Sequence, residues 1–132
     1  MRRAVTTDRA PAAVGPYSQA IAASGLIFAS GQIPLDPLTG AIVAGGIEEQ
    51  TRQCLRNLRA VLEAAGSGLD RVVRAGVFLT DLGEFDRMNR VYAEFMPDPA
   101  PARACVEVSR LPKGARVEIE AIAIGSREPS EG

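Results

Sequence analysis

Two short segments near the C-terminus alternate between apolar and polar residues, and this period of two constrains the fold more than any other feature. The first segment covers residues 102–109 and the second covers residues 116–124. Successive side chains of a strand point to opposite faces of its sheet, so each segment is predicted to be a β-strand. Between them, Pro112 removes a ladder donor and Gly114 admits turn dihedrals. We therefore expect the two strands to pair antiparallel across a short loop.

One face of this strand pair is expected to be highly charged for so apolar a chain. Its members are an arginine, a thiol and three carboxylates: Arg103, Cys105, Glu107, Glu118 and Glu120. Antiparallel sheets often have one solvated face, where neighbouring Arg and Glu side chains form weak ion pairs. The alternative is a functional site, and the alternation alone does not decide between the two interpretations.

The composition excludes several classes of function. The 132 residues are expected to form a single domain over residues 1–126, with a frayed polar tail at residues 127–132. A net charge of −1 offers no basic field for nucleic acid or an anionic membrane, and only 5% of residues are aromatic. The chain has no histidine, which excludes His-based triads, and two separated cysteines give no zinc spacing.

The sequence favours a cytoplasmic protein without a membrane anchor. No apolar run follows Arg2 and Arg3, so neither a signal peptide nor a membrane span is predicted. A disulfide is not expected, because Cys54 falls on the buried stripe of a predicted helix and Cys105 on the charged face of a strand. Free thiols of this kind fit a reducing compartment.

The first predicted helix has one continuous apolar stripe. Its members recur at helical spacing: Ile47, Thr51, Cys54, Leu55, Leu58, Val61, Leu62 and Ala65. Glu48 and Glu49 lie at the positive end of this helix, and Gly66 closes it.

A second helix is expected to begin at Asp81, with Glu84 completing a capping box, and to stop before Pro97. Its buried stripe is predicted to consist of Phe85, Met88, Tyr92 and Phe95.

The remaining strands are predicted over residues 19–23, 26–33 and 72–80, with a weaker signal at residues 3–6. In the third of these, Val73, Val77 and Leu79 are expected to share one face. The order is thus β-β-α-β-α-β-β, an α+β fold with a single sheet and two helices on one face.

The other face of the sheet is expected to be apolar and uncovered. Five side chains are predicted to point away from the helices: Leu26, Phe28, Phe78, Ile122 and Ile124. Such a face should be buried against another subunit. The charged residues Arg103, Glu107, Glu118 and Glu120 are expected to share it, and so to lie beside an interface where clefts bind small ligands.

Five motifs resemble those of the RidA/YjgF family, in order, over residues 5–124. They are residues 15–20 (GPYSQA), 30–34 (SGQIP), 89–92 (NRVY), 101–108 (PARACVEV) and 117–121 (VEIEA). The resemblance implies a chorismate-mutase-like fold assembled as a homotrimer, with three pockets between subunits. It also implies deamination of 2-imino acids such as 2-iminobutanoate and 2-iminopropanoate, which pyridoxal-phosphate enzymes release from serine or threonine. The resemblance implies neither a cofactor nor a metal.

The same resemblance assigns roles to individual residues. Arg103 matches the family's carboxylate-binding arginine, and Glu118 matches the glutamate associated with the hydrolytic water. Five further residues match pocket-lining positions: Tyr17, Ser30, Gly31, Asn89 and Cys105. The chemistry is consistent, because a guanidinium binds a carboxylate with two parallel hydrogen bonds and a carboxylate can deprotonate water. Residues 95–100 depart from the pattern, being shorter than in the best-known members.

Each assignment has a structural alternative. Arg103 could pair with Glu107 or Glu120, and Glu120 could do the task of Glu118. The pocket residues have simpler roles as well. Cys105 could be a wall residue and not a nucleophile, and Tyr17 could pack its ring. Asn89 could face solvent, and Ser30 and Gly31 could serve the close approach of strands.

Two alternatives concern the whole protein. The first is a non-catalytic trimer that binds a small carboxylate metabolite, which would not require an acid beside the anion. The second is the ribonuclease activity that is also attached to this family. Three features of the chain disfavour it: the net charge of −1, the lack of histidine and the few aromatic residues.

Overall fold

A computed structural model describes residues 1–125, which form one mixed six-stranded sheet with two helices packed on one face. The strands are β1 (Arg3–Val5), β2 (Ala20–Ala23), β3 (Leu26–Gln32), β4 (Val72–Leu79), β5 (Ala102–Glu107) and β6 (Val117–Ile124), and the helices are α1 (Ile47–Ala64) and α2 (Phe85–Phe95). The predicted α+β class is confirmed, and the weak signal at residues 3–6 is a real edge strand. Residues 127–132, predicted to form a frayed tail, lie outside the described residues.

The last two strands do not pair as predicted. The strand order is β1-β2-β3-β6-β4-β5, with β6 antiparallel to both β3 and β4 and with β5 parallel to β4 at the sheet edge. One face of β6 is entirely apolar and at most 4% exposed: Val117, Ile119, Ala121 and Ala123. Burying this face beneath the helices favours a central place for β6, which outweighs the local preference for a hairpin.

This topology separates charged residues that were predicted to share a face. Directly paired residues of neighbouring strands lie on the same side of a sheet. Arg103 pairs with Ala75, which is fully buried beneath the helices, so Arg103 and Cys105 lie on the helix-covered side. Glu118 and Glu120 alternate with the buried residues of β6 and therefore lie on the opposite, open face.

A β-bulge in β4 corrects a second prediction. The register with β6 shifts between Val72 and Arg74, which leaves Val73 as the extra residue. Val73 is 41% exposed, although its alternation with Val77 and Leu79 had placed it on their buried face. One inserted residue reverses the alternation of every residue before it, so the prediction for Val73 is wrong while those for Val77 and Leu79 are confirmed.

Helix α1 is buried along the stripe predicted from the sequence, whose members are each at most 8% exposed. At its N-terminus, Glu49 accepts a hydrogen bond from the backbone N–H of Gly46 at 2.9 Å. At its C-terminus, Gly66 adopts a φ of 80° and the N–H of Ser67 donates to the Leu62 carbonyl at 2.8 Å. These contacts define both ends of the helix.

Helix α2 begins at Phe85, later than predicted. Asp81 instead caps a single 3₁₀ turn, where its side chain accepts a hydrogen bond from a backbone N–H at 2.8 Å. The predicted capping box is absent because the Glu84 carboxylate, 8% exposed, accepts a hydrogen bond from Arg116 at 2.9 Å. Both partners of this bond are charged, whereas only the carboxylate would be charged in a bond to a backbone N–H. The predicted stripe does face the core, with Met88 and Tyr92 buried and Phe85 and Phe95 partly buried.

The opposite face of the sheet is uncovered in the single chain, as predicted. Phe28, Val106 and Ile124 are 42%, 45% and 49% exposed on it. Three partly buried neighbours extend this apolar surface: Leu26, Phe78 and Ile122. We call this surface the open face.

Over residues 1–125, no helix is long and apolar enough to cross a membrane. The same part of the chain contains no cluster of three or more histidine, cysteine or acidic residues that could hold a metal ion. Both cysteines are free thiols, with Cys54 fully buried and Cys105 partly buried.

Candidate active site

A cleft of about 690 Å³ opens on the open face, lined by β3, β6, the loop at residues 11–17 and the turn at residues 112–113. Four of the predicted site residues line it: Tyr17, Ser30, Gly31 and Glu118. Glu120 lines it as well. The volume is in the range of pockets that bind small molecules.

The Glu118 carboxylate lies directly over the backbone of Gly31. The register between β3 and β6 shifts so that Ser30 and Gly31 together oppose one residue of β6, which forms a β-bulge beside the cleft. A Cβ on Gly31 would overlap the Glu118 carboxylate oxygen and lie 2.8 Å from its Cδ. Glu120 has a similar relation to Gly76, where a Cβ would lie 3.0 Å from Oε2. Two glycines, one on each strand that flanks β6, thus make room for the two carboxylates of β6.

The protonation of Glu118 is altered by its surroundings. Burial raises the pKa of Glu118 above its ordinary value, and the negative charge of Glu120 raises it further. A carboxyl whose pKa is closer to neutral can both take up and return a proton at physiological pH. Burial raises the pKa of the Cys54 thiol well above its usual range, and the negative charge of Glu118 raises it further.

Gln19 holds the loop that forms one wall of the cleft. Its side chain is 4% exposed, accepts a hydrogen bond from the Thr7 N–H at 2.7 Å and donates to the Pro11 carbonyl at 2.8 Å. Tyr17, at 53% exposure, lies at the cleft rim beyond this anchor. Sequence reasoning missed the role of Gln19, although a glutamine inside the motif of residues 15–20 was a signal for it.

Ser30 has a structural role in the cleft wall. Its hydroxyl donates to the Ser18 carbonyl at 2.6 Å, and its N–H donates to the Gln19 carbonyl at 2.9 Å. Both bonds join β3 to the loop before β2, so the close-approach interpretation of Ser30 is supported.

Arg103 lies on the other side of the sheet, against α2. Its Nη1 donates to Asn89 Oδ1 at 2.7 Å. The guanidinium carbon is 4.8 Å from the ring centroid of Tyr92 and 5.5 Å from that of Phe85. Stacking on aromatic rings fixes the guanidinium position. Asn89 is thus directed at Arg103 rather than at solvent, and the spacing of Phe85, Asn89 and Tyr92 on α2 was the sequence signal for this arrangement.

The predicted neighbours of Arg103 have different roles. Glu107 is not its ion-pair partner, because Glu107 Oε1 accepts a hydrogen bond from the Leu82 N–H at 2.9 Å. Burial raises the pKa of the Cys105 thiol, and Arg103 lowers it by a smaller amount. Cys105 therefore remains a neutral thiol at physiological pH, which fits a wall position better than a nucleophile.

The predicted site residues therefore form two groups on opposite faces of the sheet. The cleft group contains Tyr17, Ser30, Gly31 and Glu118, and the arginine group contains Asn89, Arg103 and Cys105. The expectation that Arg103 and Glu118 share a face is wrong, because the parallel pairing of β5 with β4 places Arg103 on the helix side. Within one chain, the sheet stands between the two groups.

Comparison with known proteins identifies the relatives of this fold. A family model described as "Endoribonuclease L-PSP" matches residues 7–125. The chain is 54% identical over 123 residues to RutC family protein PH0854 of Pyrococcus horikoshii, covering 93% of this chain and 98% of that protein. It is 44% identical over 124 residues to human 2-iminobutanoate/2-iminopropanoate deaminase, covering 94% and 90% of the two chains.

Solved structures of relatives have the same fold. RidA from the Antarctic bacterium Psychrobacter sp. PAMC 21119 superposes with a TM-score of 0.89 at 44% identity, covering 92% of this chain and 98% of that one. E. coli TdcF with bound serine superposes with a TM-score of 0.88 at 42% identity, covering 94% and 99%. The strand order, the two helices and the sequence motifs agree with these matches, and the chain belongs to the RidA/YjgF family.

Proposed function

We propose that the protein hydrolyses 2-imino acids, such as 2-iminobutanoate and 2-iminopropanoate, to 2-oxo acids and ammonia. The observation that carries this proposal is the half-buried Glu118 carboxylate, whose raised pKa and position in a ligand-sized cleft suit proton transfer to and from water. The human relative named 2-iminobutanoate/2-iminopropanoate deaminase, at 44% identity, supports the choice of reaction.

We further propose that the complete site lies between two subunits of a homotrimer. The arginine group of one subunit would then face the cleft group of its neighbour, which reconciles their positions on opposite faces of one sheet. The exposed apolar residues of the open face, Phe28, Val106 and Ile124, support an assembly that covers this surface.

In this site, Arg103 binds the substrate carboxylate. One guanidinium N–H is committed to Asn89, and the remaining donors of the planar fork suffice for two parallel bonds to a carboxylate. The Tyr92 ring beneath the guanidinium limits its tilt. The plane of the bound carboxylate, and with it the position of the substrate C2 carbon, is thereby defined. The serine in the TdcF structure is an amino acid, with the carboxylate and nitrogen substituents that a 2-imino acid also has.

Glu118 carries out the proton transfers. It removes a proton from water as the water oxygen bonds to C2 of the protonated imine, which gives a neutral tetrahedral carbinolamine. Glu118 then returns that proton to the amino nitrogen. The C–N bond breaks with release of ammonia, and loss of the hydroxyl proton leaves the 2-oxo acid. A protonated imine is already electrophilic, so the sequence needs no covalent nucleophile.

The rival is a trimer that binds a small carboxylate without chemistry. A bound anion gains nothing from a second carboxylate beside it, whereas hydrolysis requires a base there, so Glu118 favours the enzyme. The family description of endoribonuclease is not proposed for this chain, because a net charge of −1 and the absence of histidine suit neither RNA binding nor histidine-based cleavage.

A coupled assay tests the proposal. A threonine dehydratase generates 2-iminobutanoate, and loss of the imine is followed with and without the protein. Glu118→Gln keeps the side-chain shape and is expected to lower kcat/KM by about 10²–10⁴-fold, as for loss of a general base. Glu94→Gln makes the same charge change on the exposed surface of α2 and should leave the rate unchanged. Equal rates for wild type and Glu118→Gln, or no acceleration by the wild type, would rule out the proposed activity.

A further inference from the structure

Glu118 and Glu120 form a pair of like charges on one strand. They are two residues apart on β6, project from the same face and line the same cleft. Two residues along a strand span about 6.6 Å. The site as proposed uses only Glu118, which leaves the second carboxylate unexplained.

The two side chains are held in place by their packing. A Cβ on Gly31 would overlap the Glu118 carboxylate, and a Cβ on Gly76 would lie 3.0 Å from Glu120 Oε2. Each carboxylate thus lies against the backbone of a neighbouring strand. Glu118 lies over β3 and Glu120 lies over β4, so the two carboxylates are on either side of β6 and these contacts hold both of them in the cleft.

The surrounding charges do not neutralise the pair. Among residues 1–125, neither carboxylate takes part in an ion pair within 4.0 Å. Lys113 lies at the cleft rim, where its Nζ donates to the Gly40 carbonyl at 3.4 Å. Arg74 on β4 shares a smaller cavity of about 230 Å³ with Glu120.

The other elements around the pair add no fixed charge. The residues that β3 contributes to the cleft are neutral, and the loop at residues 11–17 adds only the Tyr17 phenol. Behind the sheet, the Cys54 thiol is buried and neutral, and the Glu118 charge helps to raise its pKa. Glu120 is therefore the main charge acting on Glu118 within the chain.

We propose that Glu120 is a positioning residue for the acid–base step, whose negative charge keeps Glu118 a stronger base than an isolated carboxylate would be. The geometry supports this role, because both carboxylates are held on one face of β6 and line one cleft. The negative charge of Glu120 also raises the pKa of Glu118 in the same direction as burial does. A stronger base takes a proton from water more readily, at the expense of needing a higher pH to be ionised. The inference rests on the proposed hydrolytic function.

The expected effect is a shift of the pH profile. The negative charge of Glu120 disfavours ionisation of Glu118, so its removal should lower the pKa of Glu118. Glu120→Gln should therefore move the acid limb of the kcat/KM profile toward lower pH. Glu120→Asp keeps the charge and should keep the acid limb near its wild-type position.

Two measurements decide the matter. The first is the kcat/KM profile of wild type, Glu120→Gln, Glu120→Asp and the surface control Glu94→Gln on 2-iminobutanoate. The second is a ¹³C NMR titration of Glu118 Cδ without substrate, with the resonance assigned by its loss in Glu118→Gln. In the proposed trimer, an Arg103 from the neighbouring subunit adds the same charge to every variant, so the comparison isolates Glu120.

The outcomes separate this inference from the proposed function. A lower Glu118 pKa and a shifted acid limb in Glu120→Gln alone would support the role. An active wild type whose profile and Glu118 titration are unchanged in Glu120→Gln would overturn it while the proposed function stands. A wild type inactive on imines would refute the proposed function, and the NMR titration would still show whether Glu120 raises the pKa of Glu118.

Discussion

The carboxylate of Glu118 occupies the space in which a side chain on Gly31 would begin. This relationship depends on the β-bulge at Ser30 and Gly31, which sets two residues of β3 against one residue of β6. The small residue and the acid therefore form one structural unit, and a change at either position should alter the other.

The first prediction concerns Gly31→Ala. The added methyl group would collide with the carboxylate and displace it, and misplacement of a catalytic group by about 1 Å can cost about 100-fold in rate. We expect kcat/KM on 2-iminobutanoate to fall by about that factor while the circular dichroism spectrum is retained. Gly46→Ala is the control, because a Cβ there meets nothing within 4 Å. Wild-type activity in Gly31→Ala would show that the position of the carboxylate does not matter.

The second prediction concerns stability and pH. In the unfolded chain, Glu118 loses its proton near its ordinary pKa of 4.5. In the folded protein its pKa is raised, so Glu118 keeps that proton to a higher pH. The wild type should therefore lose stability as pH rises through the interval from the ordinary to the raised pKa. Glu118→Gln has no such proton, so its Tm should exceed that of wild type above the interval and approach it below.

Thermal unfolding of both proteins between pH 4 and pH 8 measures this difference. Glu94→Gln should show no such pH-dependent gain, because that side chain is exposed on α2. A wild type that becomes more stable relative to Glu118→Gln as pH rises would contradict the prediction.

The third prediction concerns Arg103. Arg103→Lys retains the charge but loses the planar fork that donates to Asn89 and stacks on Tyr92. A lost hydrogen bond to a charged group costs about 1.5–3 kcal/mol, and misplacement of the reacting carbon adds to it. We expect both Arg103→Lys and Arg103→Ala to lower kcat/KM by at least about 100-fold, with the oligomeric mass unchanged. Near wild-type hydrolysis by Arg103→Ala would refute the site.

The fourth prediction concerns assembly. Sedimentation equilibrium at micromolar concentration should give a mass of about 42 kDa, three times the 13.9 kDa of one chain. Phe28→Asp places a charge on the open face and should disrupt the trimer and its activity together. Leu38→Asp, in a turn and 93% exposed, should change neither. A wild-type monomer with full activity would contradict the proposed site between subunits.

Local patterns in the sequence were sufficient for most of the secondary structure. The α1 stripe from Ile47 to Ala65 and the alternation of β6 both reflect burial of one face, which repeats with the period of the element itself. The motifs at residues 15–20 and 117–121 likewise indicated the residues that now line the cleft.

Tertiary structure decided which strands are neighbours and therefore which side chains meet. Alternation defines two faces for each strand, but it does not show which face of β5 lies on the same side of the sheet as a given face of β6. Because β4 lies between β5 and β6 and pairs with both, Arg103 and Glu118 lie on opposite sides of the sheet. The bulge at Val73 and the Glu84–Arg116 ion pair depend in the same way on partners distant in sequence. Side-chain periodicity is a local property of the chain, whereas strand pairing follows from burying the apolar face of β6 beneath the helices at the centre of the sheet.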